Sequence, residues 1–460
     1  MNRFLSFGVL GILSVASLGG CATLEKVDDQ KMVALERQAI PAEWQVSADP
    51  IRAKSFAELY NDGILGQFLD EALRNNFELE QARLRIRRAD AQLLQADARR
   101  AINLEGSAGL GLSGNIDDVN DGGNAGLFAR FDPDIFGQLK ASVKGAEARA
   151  QIARAEEARL QRVILANVVS AYVRSIEAAL LLSVAEQNVE FLEETERVTR
   201  ARFEGGDAAG SDLALSELEL ANARASLAEQ RFAAEDTRRA LSILIGGFGD
   251  SNLEGQPSLP AQLPNVSVAG IGLSGSPDVV LTSRFDVQAA RLNVIDSAAS
   301  LEAVRASDLP GASLTASFSG NRPLSEIFNI DDYIGSLAAS LVYNLLDGGL
   351  NDAQKIEAET VLESALSNYA ETLRRTLGEV RSSVSQVETL RETLTALNAA
   401  EMAAERALEL EGIRFDLGEA ILLDVLTVQR RVDATRSARI RTQRRYLEAV
   451  AQAHLALGPS

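Results

Sequence analysis

The sequence is poor in the residues from which most catalytic and metal sites are built. It has a single cysteine, Cys21, and a single histidine, His454, in 460 residues. One cysteine excludes a disulfide within the chain, and the two residues offer no zinc-ligand spacing. We find no prominent nucleophile and base pair and no phosphate-binding loop. The sequence therefore predicts no enzyme, no cofactor and no metal site, and His454 is expected on a helix surface.

Proline is missing from two long stretches, and the chain is short of positive charge. All ten prolines lie outside residues 137–203 and 349–415, where Ala, Leu, Glu, Arg and Gln dominate. Apolar residues recur there every three or four positions, as in coiled coils. Each stretch is predicted to form one helix of about 65 residues, roughly 100 Å long and too charged to lie in lipid. The net charge of −19 argues against a nucleic-acid partner and fits a water-filled conduit or a plain solvated surface.

The N-terminus has the pattern of a secreted lipoprotein. Arg3 precedes an apolar run, residues 7–18, so residues 1–20 are predicted to be a signal peptide. The run ends in Leu-Gly-Gly-Cys at residues 18–21, which resembles the bacterial lipoprotein box, although Gly19 is a less usual occupant than Ala or Ser. In that motif the cysteine, here Cys21, is lipidated. A buried structural cysteine is the alternative. Residues 21–61 are predicted to form an extended segment.

The chain is an internal duplication at an offset of 212 residues, as from Arg202 to Arg414. Helices are predicted to return at 212–245 and 424–457, so each copy forms a helical hairpin. Glycine suits the left-handed residue that ends a helix, and an Asp near the start of the next helix favours that start. One copy alone could equally be an ordinary helical turn. The repeated tip residues are Arg202, Phe203, Gly206 and Asp212, and Arg414, Phe415, Gly418 and Asp424.

Two shorter predicted helices, 65–101 and 284–306, each precede a segment of alternating pattern. Residues 104–114 and 312–320 alternate with period two, which predicts strands. Polar loops (115–124 and 321–332) and return strands (125–131 and 333–343) are expected to follow. Alternating strands with aromatic residues at their ends are typical of a membrane β-barrel. Soluble hairpins packed on helices are the alternative.

Four strands are too few to close a barrel. A single-chain barrel needs about eight strands or more, and open sheet edges cannot be left in lipid. The chain is therefore expected to share a barrel with identical copies, and three copies would supply twelve strands. The segment between the copies, residues 247–283, contains four prolines and is predicted to be a linker outside the helical body.

From about Leu65 to Gly458 the chain resembles a known family, the TolC-like outer membrane efflux proteins, and especially its OprM-like and NodT-like lipoprotein branch. The resemblance is carried by the duplication, by both tips and by two motifs before the long helices. Residues 131–137 (Phe-Asp-Pro-Asp-Ile-Phe-Gly) resemble the family's Trp-x-x-Asp-x-Phe-Gly, with Phe131 replacing the usual Trp. Residues 346–349 (Leu-Asp-Gly-Gly) resemble its partner in the second half.

This resemblance implies a mixed α/β membrane protein of the outer membrane. Long helical hairpins would form a trimeric periplasmic α-barrel, and four strands per protomer would contribute to a shared 12-stranded β-barrel. Residues 62–246 and 284–458 would be the two efflux repeats. The expected function is the exit duct of a tripartite efflux or type I secretion system. Its partners would be two identical copies, a periplasmic adaptor, an inner-membrane pump of the RND type and outer-membrane lipid.

The resemblance also implies which residues form the functional sites. Carboxylates near the second tip form a charged ring that repels anions, and here the matching positions are Asp424 and, one turn on, Thr427. A basic side chain and a Tyr that tie the tips closed in some relatives correspond to Ala420 and Phe415, which puts that latch in doubt. The positions expected to dock the adaptor are Gly205, Gly206, Asp207, Leu417, Gly418 and Glu419.

A periplasmic adaptor or coiled-coil scaffold is the competing hypothesis. Such a protein would also be a lipoprotein with long helical hairpins, but one hairpin usually suffices and two alternating β-hairpins would have no role. A trimer found in the outer membrane would favour the duct.

Overall fold

The computed structural model describes residues 32–34, 36, 56–115, 118–249, 258–266, 277–322 and 333–458. From Phe56 onward, the first half of the described chain contains five helices and one β-hairpin. The elements, in order, are α1 (Phe56–Tyr60), α2 (Gly63–Asn75), α3 (Phe77–Ala98), β1 (Asn103–Asn115), β2 (Asp118–Phe131), α4 (Gln138–Glu204) and α5 (Gly210–Leu244).

The second half repeats this order after one short helix. The elements are α6 (Pro277–Ser283), α7 (Phe285–Ser307), β3 (Gly311–Arg322), β4 (Ile334–Val342), α8 (Leu350–Asp416) and α9 (Leu422–Ala456). The long helices α4 and α8 have 67 residues each, and α5 and α9 have 35 each. These pairs start and end at the predicted offset of 212, for example from Gln138 to the position of Leu350. A helix of this length spans about 100 Å.

The helices lie side by side in one layer, with α4 and α8 running through its whole length. Next to the sheet the order across the layer is α3, α4, α7, α8, and towards the tips it is α5, α4, α9, α8. The helices α5 and α9 are about half as long as α4 and α8, so they end near the middle of the layer. There α7 continues the position of α9, and α3 continues that of α5.

The four strands form one antiparallel sheet in the order β1-β2-β3-β4, so the two halves of the chain meet at β2 and β3. Residues paired across neighbouring strands lie on the same face of the sheet, and successive pairs alternate between the two faces. On one face Ser313 bonds Ser340 and Ser317 bonds Ser336, both at 2.8 Å. The other face is apolar and exposed, with Leu104, Leu110, Leu127, Leu314, Phe318, Leu337 and Leu341. This face is suited to lipid.

Two predictions about the first half were wrong. The helix expected over 65–101 is interrupted at Asn76, whose extended backbone and side chain start a new helix. Its Oδ1 accepts the backbone N–H groups of Glu78 (2.9 Å) and Leu79 (3.2 Å), which is an N-cap. The polar loop expected over 115–124 is instead a strand from Asp118 onward. Its backbone forms hydrogen bonds with β1, and these bonds do not depend on the polarity of the side chains. The second loop, 321–332, lies largely outside the described residues.

The main core lies where the helices cross the middle of the layer. Tyr60, Phe68, Val168, Tyr172 and Ile176 are fully buried in it. By length and composition α4 contains a stretch that could cross a bilayer. In this structure the apolar residues of α4 instead supply the core, and long-range contacts hold them there. Tyr60 donates to the carbonyl oxygen of Leu447 at 2.6 Å, and Tyr172 donates to Asp62 at 2.7 Å.

His454 belongs to this core, which corrects the predicted surface position. Its side chain is 5% exposed and lies edge-on to Phe56, with ring centres 4.7 Å apart. A position near the C-terminus does not reveal this burial, because α1, which is distant in sequence, covers the last turns of α9 on one side. Burial, and next the positive charge of Arg162, lower the pKa of His454 to about 4. The imidazole is therefore neutral at neutral pH.

This burial predicts a pH-dependent stability. The unfolded state binds the proton at about pH 6.5, whereas the folded state resists it until about pH 4. The contribution of the neutral His454 to the free energy of unfolding is thus complete above pH 6.5. It falls as the pH is lowered, by on the order of 2 kcal/mol at pH 5. We expect the apparent melting temperature in detergent to fall less between about pH 7 and pH 5 in His454→Gln than in the wild type. Equal falls in both proteins would contradict this assignment.

Candidate functional site: the helical hairpin tips

Both hairpin tips adopt the same backbone geometry. Gly206 has φ = 84° and Gly418 has φ = 77°, which is the left-handed region that favours glycine. The N–H of the next residue, Asp207 or Glu419, donates to the carbonyl of Arg202 or Arg414 at 2.8 Å. The N–H of Gly206 donates to the carbonyl of Phe203 at 3.0 Å, and the N–H of Gly418 donates to the carbonyl of Phe415 at 3.1 Å. This is the Schellman motif, and it explains why glycine is repeated at the offset.

The ends of the tips are open to solvent. All six positions assigned to docking by resemblance are exposed: Gly205, Gly206, Asp207, Leu417, Gly418 and Glu419. A Cβ added at Gly206 or Gly418 would meet no atom within 4 Å. Leu417, an apolar side chain, is 69% exposed at the end of α8. At these six positions the tips thus present bare backbone, the carboxylates of Asp207 and Glu419 and one apolar side chain.

The structure places Asp212 and Asp424 in the first turns of α5 and α9. There a carboxylate is favoured by the partial positive charge of the helix N-terminus. The Asp424 carboxylate also accepts the backbone N–H of Ile421 at 3.3 Å, so it helps to cap α9.

Asp424 and Thr427 share one exposed face of α9, one turn apart. The opposite face carries Leu422 and Leu426, which are buried. They pack with Val189, Leu192, Leu220, Ala223 and Leu227 in a small cluster that joins the two hairpins. Thr427 donates its hydroxyl to the carbonyl of Leu423 at 2.7 Å. Packing of α9 on the first hairpin therefore fixes the direction in which Asp424 points.

The two tips contact each other through a pair that sequence reasoning missed. The guanidinium carbon of Arg202 lies 4.6 Å from the ring centre of Phe415, in a cation–π contact worth about 0.5–1 kcal/mol at an exposed site. Phe415 is the position at which the resemblance led us to look for the Tyr of a polar latch. Here Arg202 supplies the cation from the other tip. The duplication does not predict this contact, because the equivalent arginine of the second copy, Arg414, pairs with Glu411 at 3.0 Å.

Exposed ion pairs also join neighbouring helices near the tips. Arg200 on α4 pairs with Glu217 on α5 at 2.7 Å. Arg430 on α9 lies 3.9 Å from Glu219 on α5. Exposed pairs of this kind contribute little each, about 0–1 kcal/mol. They align the helices more than they stabilise them.

The motifs before the long helices are N-terminal caps. Asp134 accepts the backbone N–H groups of Leu139 and Lys140, both at 2.8 Å. Asp347 does the same for Gly349 and Asn351, both at 2.9 Å, and these bonds lower the pKa of Asp347. The carboxylates thus satisfy donors that a helix start leaves free. Cys21, the expected lipidation site, lies outside the described residues.

The comparisons with known proteins agree with this architecture. The family model described as outer membrane efflux protein matches residues 68–247 and 277–459, one match in each half. The cation efflux system protein CusC of Escherichia coli is 25% identical over 418 residues, covering 87% of this chain and 89% of CusC. The outer membrane protein OprJ of Pseudomonas aeruginosa is 28% identical over 443 residues, covering 92% of this chain and 90% of OprJ.

A solved structure shows the same fold. The CmeC outer membrane channel of Campylobacter jejuni superposes with a TM-score of 0.84 at 19% identity, over 92% of this chain and 91% of that chain. The predicted fold class and outer-membrane location are confirmed. Because a family model matches most of its length and both of its halves, the chain belongs to the outer membrane efflux protein family.

Proposed function

We propose that three copies of this chain form a lipid-anchored duct in the outer membrane. The duct passively conducts small molecules from an inner-membrane pump and a periplasmic adaptor to the exterior. The relatives are channel and transport proteins, and in this proposal the chain performs no chemistry. One observation carries the proposal: both the sheet and the helical layer of the single chain end in unpaired edges.

The sheet has two open edges, β1 and β4. An open edge leaves backbone N–H and C=O groups without partners, which costs several kcal/mol per group in lipid. The sheet also exposes a continuous apolar face, which belongs in lipid and not in water. The edges are therefore satisfied only when β1 of one copy pairs with β4 of the next.

The helical layer ends in the same way. Helices α3 and α5 form one side of the layer, and α8 forms the other. Both sides expose large apolar side chains, which a solvated helix face would not need. They are Leu84 and Leu94 on α3, Leu218, Phe232 and Ile243 on α5, and Ile356, Val361, Met402, Leu410 and Ile413 on α8. Contact between α8 of one copy and α3 and α5 of the next would cover both sets.

The described residues between Cys21 and α1 contact the helical body. Tyr369 on α8 donates to Glu36 at 2.6 Å, and Met32 is buried. Acyl chains on Cys21 would lie in the bilayer around the barrel. The described residues of this segment, among them Met32 and Glu36, would then lie on the outside of the duct.

The duct would be a trimer that conducts ions. We expect the purified protein in mild detergent to have the mass of three chains and to open ion-conducting pores in planar bilayers. Multi-angle light scattering and single-channel recording check these two points. A monomer that fractionates with inner-membrane vesicles would contradict the proposal and favour the adaptor hypothesis.

Asp424 would give the pore its preference for cations. Three carboxylates at the narrowest point would hold cations and repel anions, so Asp424→Asn is expected to lower the cation-to-anion permeability ratio severalfold. Asparagine keeps the acceptor for the Ile421 N–H, so α9 stays capped. The matched control is Asp212→Asn, the same position in the first copy. Unchanged selectivity in Asp424→Asn would place the constriction elsewhere.

The glycine tips would dock the adaptor. Gly418→Trp, and likewise Gly206→Trp, is expected to abolish resistance to the exported compounds while trimers still form, because an added Cβ meets no atom within 4 Å and the strain of its left-handed φ is confined to the exposed tip. Gly418→Asn is the control, since Asn tolerates positive φ and adds little bulk. Resistance is measured in cells whose own duct is deleted. Normal resistance in both Trp variants would remove the docking role.

A further inference from the structure

A basic cavity lies in the middle of the helical layer, between α4 and α8, where α7 begins and α9 ends. Its volume is about 1040 Å³ and it is open on one side. Such a concentration of positive charge is unexpected in a chain of net charge −19. Four arginines and two carboxylates line the cavity: Arg159, Arg162, Arg284, Arg375, Asp286 and Glu379.

The two carboxylates are already engaged. Arg284 pairs with Asp286 at 2.6 Å and with Glu379 at 2.9 Å, and its side chain is 12% exposed. Arg375 lies 3.7 Å from the other oxygen of Glu379. These contacts account for both negative charges, so Arg159 and Arg162 remain without a carboxylate.

Arg162 is held in an unusual position. One of its terminal nitrogens donates to the carbonyl of His454 at 2.9 Å, while its Nε is buried without a partner among the described residues. Burial, and next the charge of Arg284, lower the pKa of Arg162. Arg159 is exposed and has no ion pair within the described part of the chain. Buried hydrogen-bond donors normally have an acceptor. An oxyanion is the ligand that best supplies acceptor atoms and negative charge to two unpaired arginines.

The cavity lies on the face of the helical layer opposite the N-terminal segment. Tyr172, Tyr369 and His454 contact Asp62, Glu36 and Phe56 on one face. Three cavity residues lie about half a turn away from these on the same helices, because each residue rotates by about 100°. They are Val163, nine residues before Tyr172, Gly378, nine after Tyr369, and Ala456, two after His454.

We propose that this cavity is an oxyanion-binding site on the inner wall of the duct. Its ligands are molecules that carry a carboxylate, phosphate or sulfonate group, held by Arg159 and Arg162. The binding site is assigned from the cavity alone, whereas its place on the inner wall rests on the proposed function. If the N-terminal segment lies outside the duct, the opposite face lines the lumen. Three copies then form a basic belt that gives anionic cargo a resting point inside an acidic tunnel.

Binding is tested with inorganic phosphate on the purified protein. Phosphate also stabilises proteins generally, so its effect on the melting temperature is compared with that of chloride at equal ionic strength and among variants. We expect a saturable stabilisation in the wild type. In Arg159→Gln the phosphate concentration for half effect is expected to rise roughly threefold to tenfold, as for one partly exposed charge contact.

The variants separate a specific site from a general salt effect. Arg162→Gln is expected to weaken binding similarly, but it also loses the bond to His454. Arg159 makes no hydrogen bond or ion pair with another described residue, so Arg159→Gln carries the test. Arg231→Gln, an exposed arginine on α5, is the matched control and is expected to bind like the wild type. Equal phosphate dependence in Arg159→Gln and Arg231→Gln would overturn the site.

Position on the inner wall is tested by conduction. Phosphate is expected to reduce single-channel current in the wild type and in Arg231→Gln, and much less in Arg159→Gln. Phosphate binding without any reduction of current would overturn the luminal position. A purified protein that binds phosphate but forms no pore would count against the duct itself, so the two failures are distinguishable.

Discussion

The structure depends on the need to satisfy backbone hydrogen bonds at the edges of a short sheet. Strands β2 and β3 are paired on both sides, but β1 and β4 each have one free side. Neither water nor the chain itself can satisfy these groups in a bilayer. The connectivity extends this constraint to the helices, because α3 leads into β1 and α8 follows β4. When neighbouring copies pair their edge strands, α3 and α8 of those copies are brought side by side. In the proposed trimer, closing the β-barrel would therefore also close the helical tunnel.

The duplication keeps the two hairpins equal in length, and helix geometry explains why. One inserted residue in α4 or α8 would move the tip by about 1.5 Å and rotate it by about 100°. The Schellman turns at Gly206 and Gly418 would then lie at different heights and face different directions. The two copies nevertheless differ at their tips. Arg202 contacts Phe415 across the hairpins, whereas Arg414 binds Glu411 in its own helix. In the proposed docking role, a single surface built from two unequal tips would distinguish one side of a partner from the other.

Sequence reasoning predicted the elements that one dominant signal governs. The long helices follow from the missing prolines and the regular apolar spacing, and the strands follow from period two. It failed where a local or distant contact decides the structure. Asn76 breaks a helix because its side chain caps the next one. Residues 118–124 extend a strand because β1 pairs with them. His454 is buried because α1, far away in sequence, covers it. The contact between Arg202 and Phe415 joins the two copies, so comparing the copies with each other could not find it.

Packing contacts are distributed unevenly along the helical layer, and in the proposed duct this bears on how the tips could separate. The large core that contains Tyr60, Phe68, Tyr172 and Val450 lies near the middle of the layer. Near the tips, the described contacts that join the hairpins are a small cluster around Leu192 and Leu426, the contact of Arg202 with Phe415 and the exposed pair of Arg430 with Glu219. Each of those polar contacts contributes about 1 kcal/mol or less. Separating the tips therefore breaks these weak polar contacts and the packing of Leu422 and Leu426, while the central core stays packed. In the proposed docking role, a partner would shift this equilibrium by the difference between its affinities for the separated and the packed tips.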